Sequence, residues 1–169
     1  MRNKIVEISH WLSLGEQLDR RVDDVLGSWE GTPYLSQHRI KAMGVDCYEI
    51  AAAFLDEMER KPRGSTVLPK LPPGIANNRP DMAARAIRVI VEAYEGLESL
   101  VDGSVETGDI LVVRNTLRND GPAHEGHSMI AGSEPYSVLH AVSPRVCWTT
   151  CAGREIIKVY RAKAKHRWT

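Results

Sequence analysis

Three short segments of this chain carry residues able to do covalent chemistry, and their order along the chain is informative. Cys47 closes Gly44-Val45-Asp46-Cys47, downstream of Gly31-Thr32-Pro33-Tyr34. His127 follows Gly126, and His140 sits within Leu139-His140-Ala141. One thiol and two imidazoles can supply a nucleophile, a base and an orienting group, the set needed to attack an amide carbonyl through sulfur. Each segment alone is weak, because a free cysteine is among the residues most often buried for packing. The flanking patterns indicate how the chain would bring them together.

Asp46 is a good helix N-cap, and Glu49 stands where the acid of a capping box belongs. Cys47, Ile50, Ala51, Phe54, Leu55 and Met58 fall on one helical face, so the spacing predicts a helix over 47–60 that begins with Cys47 turned inward. A thiol there lies near free backbone N–H groups and the positive end of the helix dipole, which is expected to favour thiolate. The same N–H groups could hold an oxyanion. Gly132-Ser133-Glu134-Pro135 reads as a turn between two β-prone runs. A hairpin closed symmetrically about Ser133 and Glu134 pairs Ile130 with Ser137 and His127 with His140. Residues so opposed share a face with Cβ atoms about 5 Å apart, so the register predicts touching imidazoles. His124 lies an odd number of residues from His127 and is expected on the other face.

The elements that must position these groups are legible in outline. Ser13-Leu14-Gly15-Glu16 resembles a capping box, Leu14, Leu18, Val22, Val25 and Leu26 continue at helical spacing, and Gly27 is the expected stop. Residues 28–45 read as irregular and 62–80 as a proline- and glycine-rich ordered loop. A further helix is expected over 81–96. Strand-like runs then cover 110–114, 128–131, 136–142, 146–149 and 155–160. Helices followed by strands argue for an α+β domain with an antiparallel sheet.

Composition sets outer limits. The 169 residues are expected to form one domain, 1–169, with an ordinary content of 43% hydrophobic and 26% charged residues. Lys+Arg and Asp+Glu both number 22, so net charge gives no case for a nucleic-acid partner. No run approaches the ~20 apolar residues that cross a bilayer, and the first residues lack an apolar signal-peptide core. Synthesis in the cytoplasm without a signal peptide is therefore expected. The cysteines are Cys47, Cys147 and Cys151, an odd number, which argues against a disulfide framework. Cys147 and Cys151 lack a second pair of metal ligands nearby and read as buried, inert thiols in a strand and the turn after it. Trp11, Trp29 and Trp148 read as core or groove walls, with Trp29 the one placed to touch substrate. His10, His38 and His166 read as surface residues. The basic residues Arg161, Lys163, Lys165, His166 and Arg167 read as a solvated terminus.

Taken together, these segments resemble the NlpC/P60 cysteine peptidases. The resemblance rests on the Gly-Thr-Pro-Tyr element, Gly44-Val45-Asp46-Cys47, Gly108-Asp109-Ile110-Leu111-Val112-Val113, His127-Ser128-Met129-Ile130 and Leu139-His140-Ala141. It spans residues 27–142. It implies a papain-like fold, with N-terminal helices packed on a five- to six-stranded antiparallel sheet. It implies Cys47 as nucleophile, His127 as base and then acid, and His140 as orienter. Tyr34 would stand beside the cysteine and Asp46 near the substrate's amino end, with Tyr48 and Trp29 as further groove residues. The implied reaction cleaves amide bonds in peptidoglycan stem peptides and needs no metal or organic cofactor. Tyr48-Glu49 replaces the family's usual Ser-Gly, and Leu35-Ser36-Gln37-His38 replaces its usual Trp-Gly-Gly; both changes bear on substrate choice. Leu68-Pro69-Lys70-Leu71-Pro72-Pro73 is similar to a loop of phage tail-associated members, which implies a virion-associated enzyme delivered to the cell envelope. The alternatives are a catalytically silent tail or assembly protein, and an interbacterial effector amidase held by an immunity protein.

Overall fold

The computed structural model describes residues 14–35, 38–58, 97–100, 104–115 and 124–162. The expected loop over 62–80, the helix over 81–96, Trp11, His10, His166 and most of the basic terminus lie outside these residues.

Helix α1, Leu14–Gly27, forms where the apolar spacing predicts it, with Val22 and Leu26 fully buried. The stretch expected to be irregular contains a small hairpin, β1 (Arg39–Ile40) and β2 (Gly44–Val45). Helix α2, Glu49–Glu57, follows. The strands are then β3 (Leu97–Leu100), β4 (Ile110–Asn115), β5 (His124–Ala131), β6 (Ser137–Val142), β7 (Arg145–Thr150) and β8 (Ile156–Ala162). They make one six-stranded sheet in the order β3-β8-β4-β5-β6-β7, antiparallel throughout. The architecture is the expected α+β class. The additional edge strand, β3, is only four residues long and half-buried on three of them, so no run of apolar residues announces it.

Both faces of the sheet are covered, so its strands read as continuous apolar runs rather than strict alternation. One face, with Ile110, Val112, Ile130, Leu139, Ala141 and Tyr160, packs against the apolar stripes of α1 and α2. The other buries Leu111, Val113, Met129, Val138 and Val159 with Cys151. Cys147 is half-buried in β7, opposite His140, rather than fully buried as expected.

The β5–β6 hairpin departs from the expected register. Ile130 pairs with Leu139 and Ala131 with Val138, two residues beyond the symmetric closure. A wider loop replaces the tight turn: the Gly132 N–H reaches Ser137 O at 2.9 Å, and Tyr136 takes φ 62°. Pro135 has no N–H to give to the ladder that the tight turn would need. A shift of two residues preserves parity, so His127 and His140 still share a face, as diagonal rather than direct neighbours. Beyond Ile130 and Leu139, toward His127, β5 has no registered partner in β6, and the two strands part.

The Gly108-Asp109 element anchors β4 from its start. Gly108 takes φ +83°, which favours glycine, and its N–H donates to Ala131 O at 2.8 Å. The buried Asp109 carboxylate receives Arg161 from β8 in a two-point contact, Nε to Oδ1 at 2.9 Å and Nη2 to Oδ2 at 2.7 Å. Arg161 also reaches Glu106, at 2.7 Å. Removing one partner of such a buried pair leaves the other charge desolvated, at a cost of about 3 kcal/mol or more. Arg161→Met is therefore expected to lower unfolding free energy by about that amount in urea titrations, and Asp109→Asn in the same background to recover part of it. A loss below about 1 kcal/mol would place the pair among ordinary surface contacts.

Candidate active site

The site forms where the turn preceding α2 meets the gap between β5 and β6. Asp46 is 2% exposed, and its Oδ1 accepts the N–H groups of Tyr48 and Glu49, each at 2.9 Å. That is the hydrogen-bonding pattern of an N-cap. The regular helix nonetheless starts at Glu49, two residues later than expected, and Cys47 lies in the turn before it. Glu49 turns its carboxylate to Arg39, 3.4 Å away.

Strand geometry determines what the thiol meets. Along β5, the Ala131 N–H points to β4, donating to Asp109 O, while the Gly132 N–H points to β6. Alternation along an antiparallel strand then sends the Ser128 N–H toward β6, where the ladder has ended. That N–H donates to the Cys47 sulfur instead. The Ser128 hydroxyl, 1% exposed, donates to the Cys47 carbonyl. Cys47 thus occupies the opening between the strands, against the residue that follows His127.

The two histidines meet across the same opening. His127 Nε2 and His140 Nδ1 are 2.6 Å apart, with the rings edge to face and their centroids separated by 4.9 Å. The pair forms despite the changed register, because side chains two residues out of step remain within reach of one another. Burial holds His127 down at about 3, helped by His140 and by the positive charge of Arg154. Burial and Arg154 hold His140 at about 4. Both rings are neutral at physiological pH.

The thiol is also neutral at rest, and here the expectation of a thiolate is corrected. Cys47 is 5% exposed, and burial together with the Asp46 carboxylate pushes its thiol up to about 12. Hydrogen bonds from Ser128 and from the Tyr48 hydroxyl act in the opposite direction without overcoming it. Desolvation of the charge outweighs what two or three N–H groups return. Tyr34 is raised to about 12 by burial, with Cys47 and Asp46 adding to the effect. Tyr48 is pushed far above the ordinary tyrosine range by burial, then by Cys47. Both phenols therefore stay protonated and able to donate.

Tyr34 arrives on a stitched segment. Gly31 N–H donates to Val146 O at 3.0 Å, Val146 N–H to Thr32 O at 2.8 Å, and Tyr34 N–H to Pro144 O at 2.9 Å. On its other side, Val45 N–H donates to Pro33 O at 3.0 Å. The Gly-Thr-Pro-Tyr element thus bridges the main sheet to β2. Tyr34, Asp46 and Tyr48 are gathered around Cys47, whereas Trp29 is not. Its indole N–H donates to Glu57 at 2.7 Å, on the last turn of α2 and away from the thiol, and Lys41 caps the ring at 5.1 Å. His124 pairs with Asn115 beyond a bulge in β5.

Two neighbours of the site were not anticipated from the sequence. Ser128 had a readable signal, since its even spacing from Ile130 puts both on the α2 side of the strand. Arg154, in the turn between β7 and β8, had none. Among the described residues, no group of three or more His, Cys, Asp or Glu side chains is disposed to hold a metal ion. A cavity of about 780 Å³ lies away from the thiol, between α1 and the β5–β6 and β7–β8 turns, lined by Leu18, Tyr136, Cys151 and Arg154 among others.

Helices packed on a six-stranded antiparallel sheet match the fold of solved NlpC/P60 structures. A protein from Staphylococcus aureus subsp. aureus Mu50, described as similar to lipoprotein and of the NLP/P60 family, superposes with a TM-score of 0.56 at 16% identity. The match covers 90% of this chain and 43% of that one. Ly7917 superposes with a TM-score of 0.51 at 13% identity, over 85% of this chain and 62% of its own. Its structure with the hydrolysing product of MDP gives 0.52 at 12% identity, over the same shares. This chain therefore spans less than two thirds of either protein. No family model and no characterised protein sequence matches it.

The depressed histidines make stability depend on pH. An unfolded histidine takes up its proton near pH 6.5, whereas these folded ones do so only near 3 and 4. Their contribution is complete above pH 6.5 and is lost as pH falls toward the folded values. Between pH 6.5 and 5 the loss is about 1–2 kcal/mol per histidine. The unfolding midpoint is expected to drop over this range in wild type and to drop distinctly less in a His127→Gln/His140→Gln variant. Equal acid sensitivity of the two proteins in thermal melts would contradict the neutral pair.

Proposed function

We propose that this protein is a cysteine hydrolase that cleaves amide bonds in peptidoglycan stem peptides, with Cys47 as nucleophile, His127 as base and His140 as orienter. The observation that carries the reading is the 2.6 Å contact between His127 Nε2 and His140 Nδ1, with Cys47 held by Ser128, the next residue of the same strand. With Nε2 engaged, Nδ1 is the nitrogen of His127 left to take the thiol proton. For it to be bare, His127 must carry its proton on Nε2 and donate to His140 Nδ1, which leaves the His140 proton on Nε2. His140 thus fixes the tautomer that makes its neighbour a base.

Because thiol and imidazole are both neutral at rest, sulfur attacks the carbonyl as its proton passes to His127 Nδ1. The carbonyl carbon gains the C–S bond, its π electrons move to oxygen, and the tetrahedral oxyanion takes N–H or phenol donors. Tyr34 and Tyr48, protonated throughout the physiological range, are suited to that task. Collapse breaks the C–N bond, the amine leaves with the proton from His127, and a thioester remains on Cys47. Water, deprotonated at the same nitrogen, then releases the acid and regenerates the thiol.

The substrate class draws support from the Ly7917 structure holding the hydrolysing product of MDP, a muramyl dipeptide. Asp46 is assigned to the substrate's amino end and Tyr48 to the groove wall, where its bulk in place of a small residue narrows the entry. Delivery to the cell envelope on a phage tail or similar particle is part of the proposal and rests on the sequence of residues 68–73.

Purified peptidoglycan incubated with wild type and with Cys47→Ala tests the reading. Mass spectrometry of the fragments is expected to show new amine and carboxyl ends at one stem-peptide bond with wild type only. The cysteine variant should be slower by at least about a thousandfold. Wall cleavage that survives in Cys47→Ala would overturn it.

A further inference from the structure

We infer that Ser128 is a positioning residue, which fastens the nucleophile-bearing turn before α2 to strand β5 and so keeps Cys47 in register with His127. The inference rests on the proposed role of Cys47 and extends it to a residue that takes no part in the bond changes.

The backbone around Cys47 is unusual for a helix entry. The first rungs of the helical ladder are Ile50 N–H to Asp46 O, at 3.0 Å, and Ala52 N–H to Tyr48 O, at 3.2 Å. The rung between them belongs to the carbonyl of Cys47, which accepts the hydroxyl of Ser128, eighty-one residues away in the chain. The regular helix accordingly begins only at Glu49. The nucleophile's own peptide group is therefore held by the strand.

Ser128 holds Cys47 at two points. Its hydroxyl engages the main chain, and its N–H, freed by the parting of β5 and β6, engages the sulfur. At 1% exposure no water competes for either bond. The peptide unit that supplies this N–H is shared with His127, so the nucleophile is gauged against the backbone of its own base. Loss of the hydroxyl leaves the Cys47 carbonyl free to close on the helix, which rotates the thiol with it. An error of about 1 Å in such an arrangement costs on the order of a hundredfold in rate.

Two readouts on Ser128→Ala test the inference. The first is alkylation of Cys47 by iodoacetamide from pH 6 to 10, followed by peptide mapping that separates Cys47 from Cys147 and Cys151. It requires no substrate, so it stands whether or not peptidoglycan is cleaved. Cys47 in the variant should alkylate at least about fivefold more slowly than wild type at each pH below the thiol's own titration, as the rotated sulfur turns away from the Ser128 N–H. The second is turnover on peptidoglycan fragments, where kcat should fall about ten- to a hundredfold with KM nearly unchanged. Ser128→Thr, which keeps the hydroxyl, should recover most of both. If Ser128→Ala does not fold, the near-isosteric Ser128→Cys, a weak donor, should show the same loss in smaller measure. Wild-type alkylation across the pH range in a folded variant lacking the hydroxyl would overturn the inference. So would an equal loss in Ser128→Thr. A wild-type protein that cleaves no peptidoglycan while Ser128→Ala still slows alkylation would sink the proposed function and leave Ser128's role intact.

Discussion

Where β5 and β6 part beyond Ile130 and Leu139, the N–H of Ser128 loses its strand partner. A buried N–H left unsatisfied costs about 1–3 kcal/mol. The chain resolves this by setting Cys47 in the opening, so that the donor is satisfied by sulfur and the neighbouring carbonyl by a hydroxyl. The same opening gives His127 and His140 room to meet ring to ring. The rest of the structure maintains this break in the sheet. The wide loop from Gly132 to Tyr136 sets the shifted register, Asp46 caps the turn that carries the thiol, and the Gly-Thr-Pro-Tyr segment ties that turn to the main sheet.

Burial then determines the protonation of the site. A preformed ion pair between thiolate and imidazolium would need two charges in an enclosed place, with the Asp46 carboxylate opposing the first and Arg154 the second. Neutral partners avoid both penalties. The consequence for mechanism is that ionisation belongs to the reaction, at the moment a substrate carbonyl accepts the electron pair. Proton transfer and attack are then coupled, and the hydrogen bonds reaching sulfur and oxyanion count most in the transition state.

Much of this was legible in the residues, for identifiable reasons. The α1 stripe, the face of α2 from Ile50 to Met58 and five of the six sheet strands follow from apolar spacing, which is the signal that burial imposes. The association of His127 with His140 was legible because parity survives a two-residue error in register. What failed was finer geometry. The loop around Pro135 and the late start of α2 depend on tertiary hydrogen bonds, Gly132 to Ser137 and Ser128 to Cys47, that local propensity does not encode. The resting thiol was misjudged because proximity to a helix terminus is visible in sequence whereas depth of burial is not. Trp29 reads as core or groove wall, and it lies in the core with its indole N–H on Glu57, twenty-eight residues on.

The chemistry of the site turns on which nitrogen of His127 is bare. Nitrogen-15 NMR of the protein labelled in its histidine rings, recorded near pH 6, reads this directly. The predicted spectrum has His127 neutral, with its proton on Nε2 shared toward His140 and an unprotonated Nδ1. A neutral His127 protonated at Nδ1, or an imidazolium at that pH, would contradict it, since neither form can take the proton of Cys47.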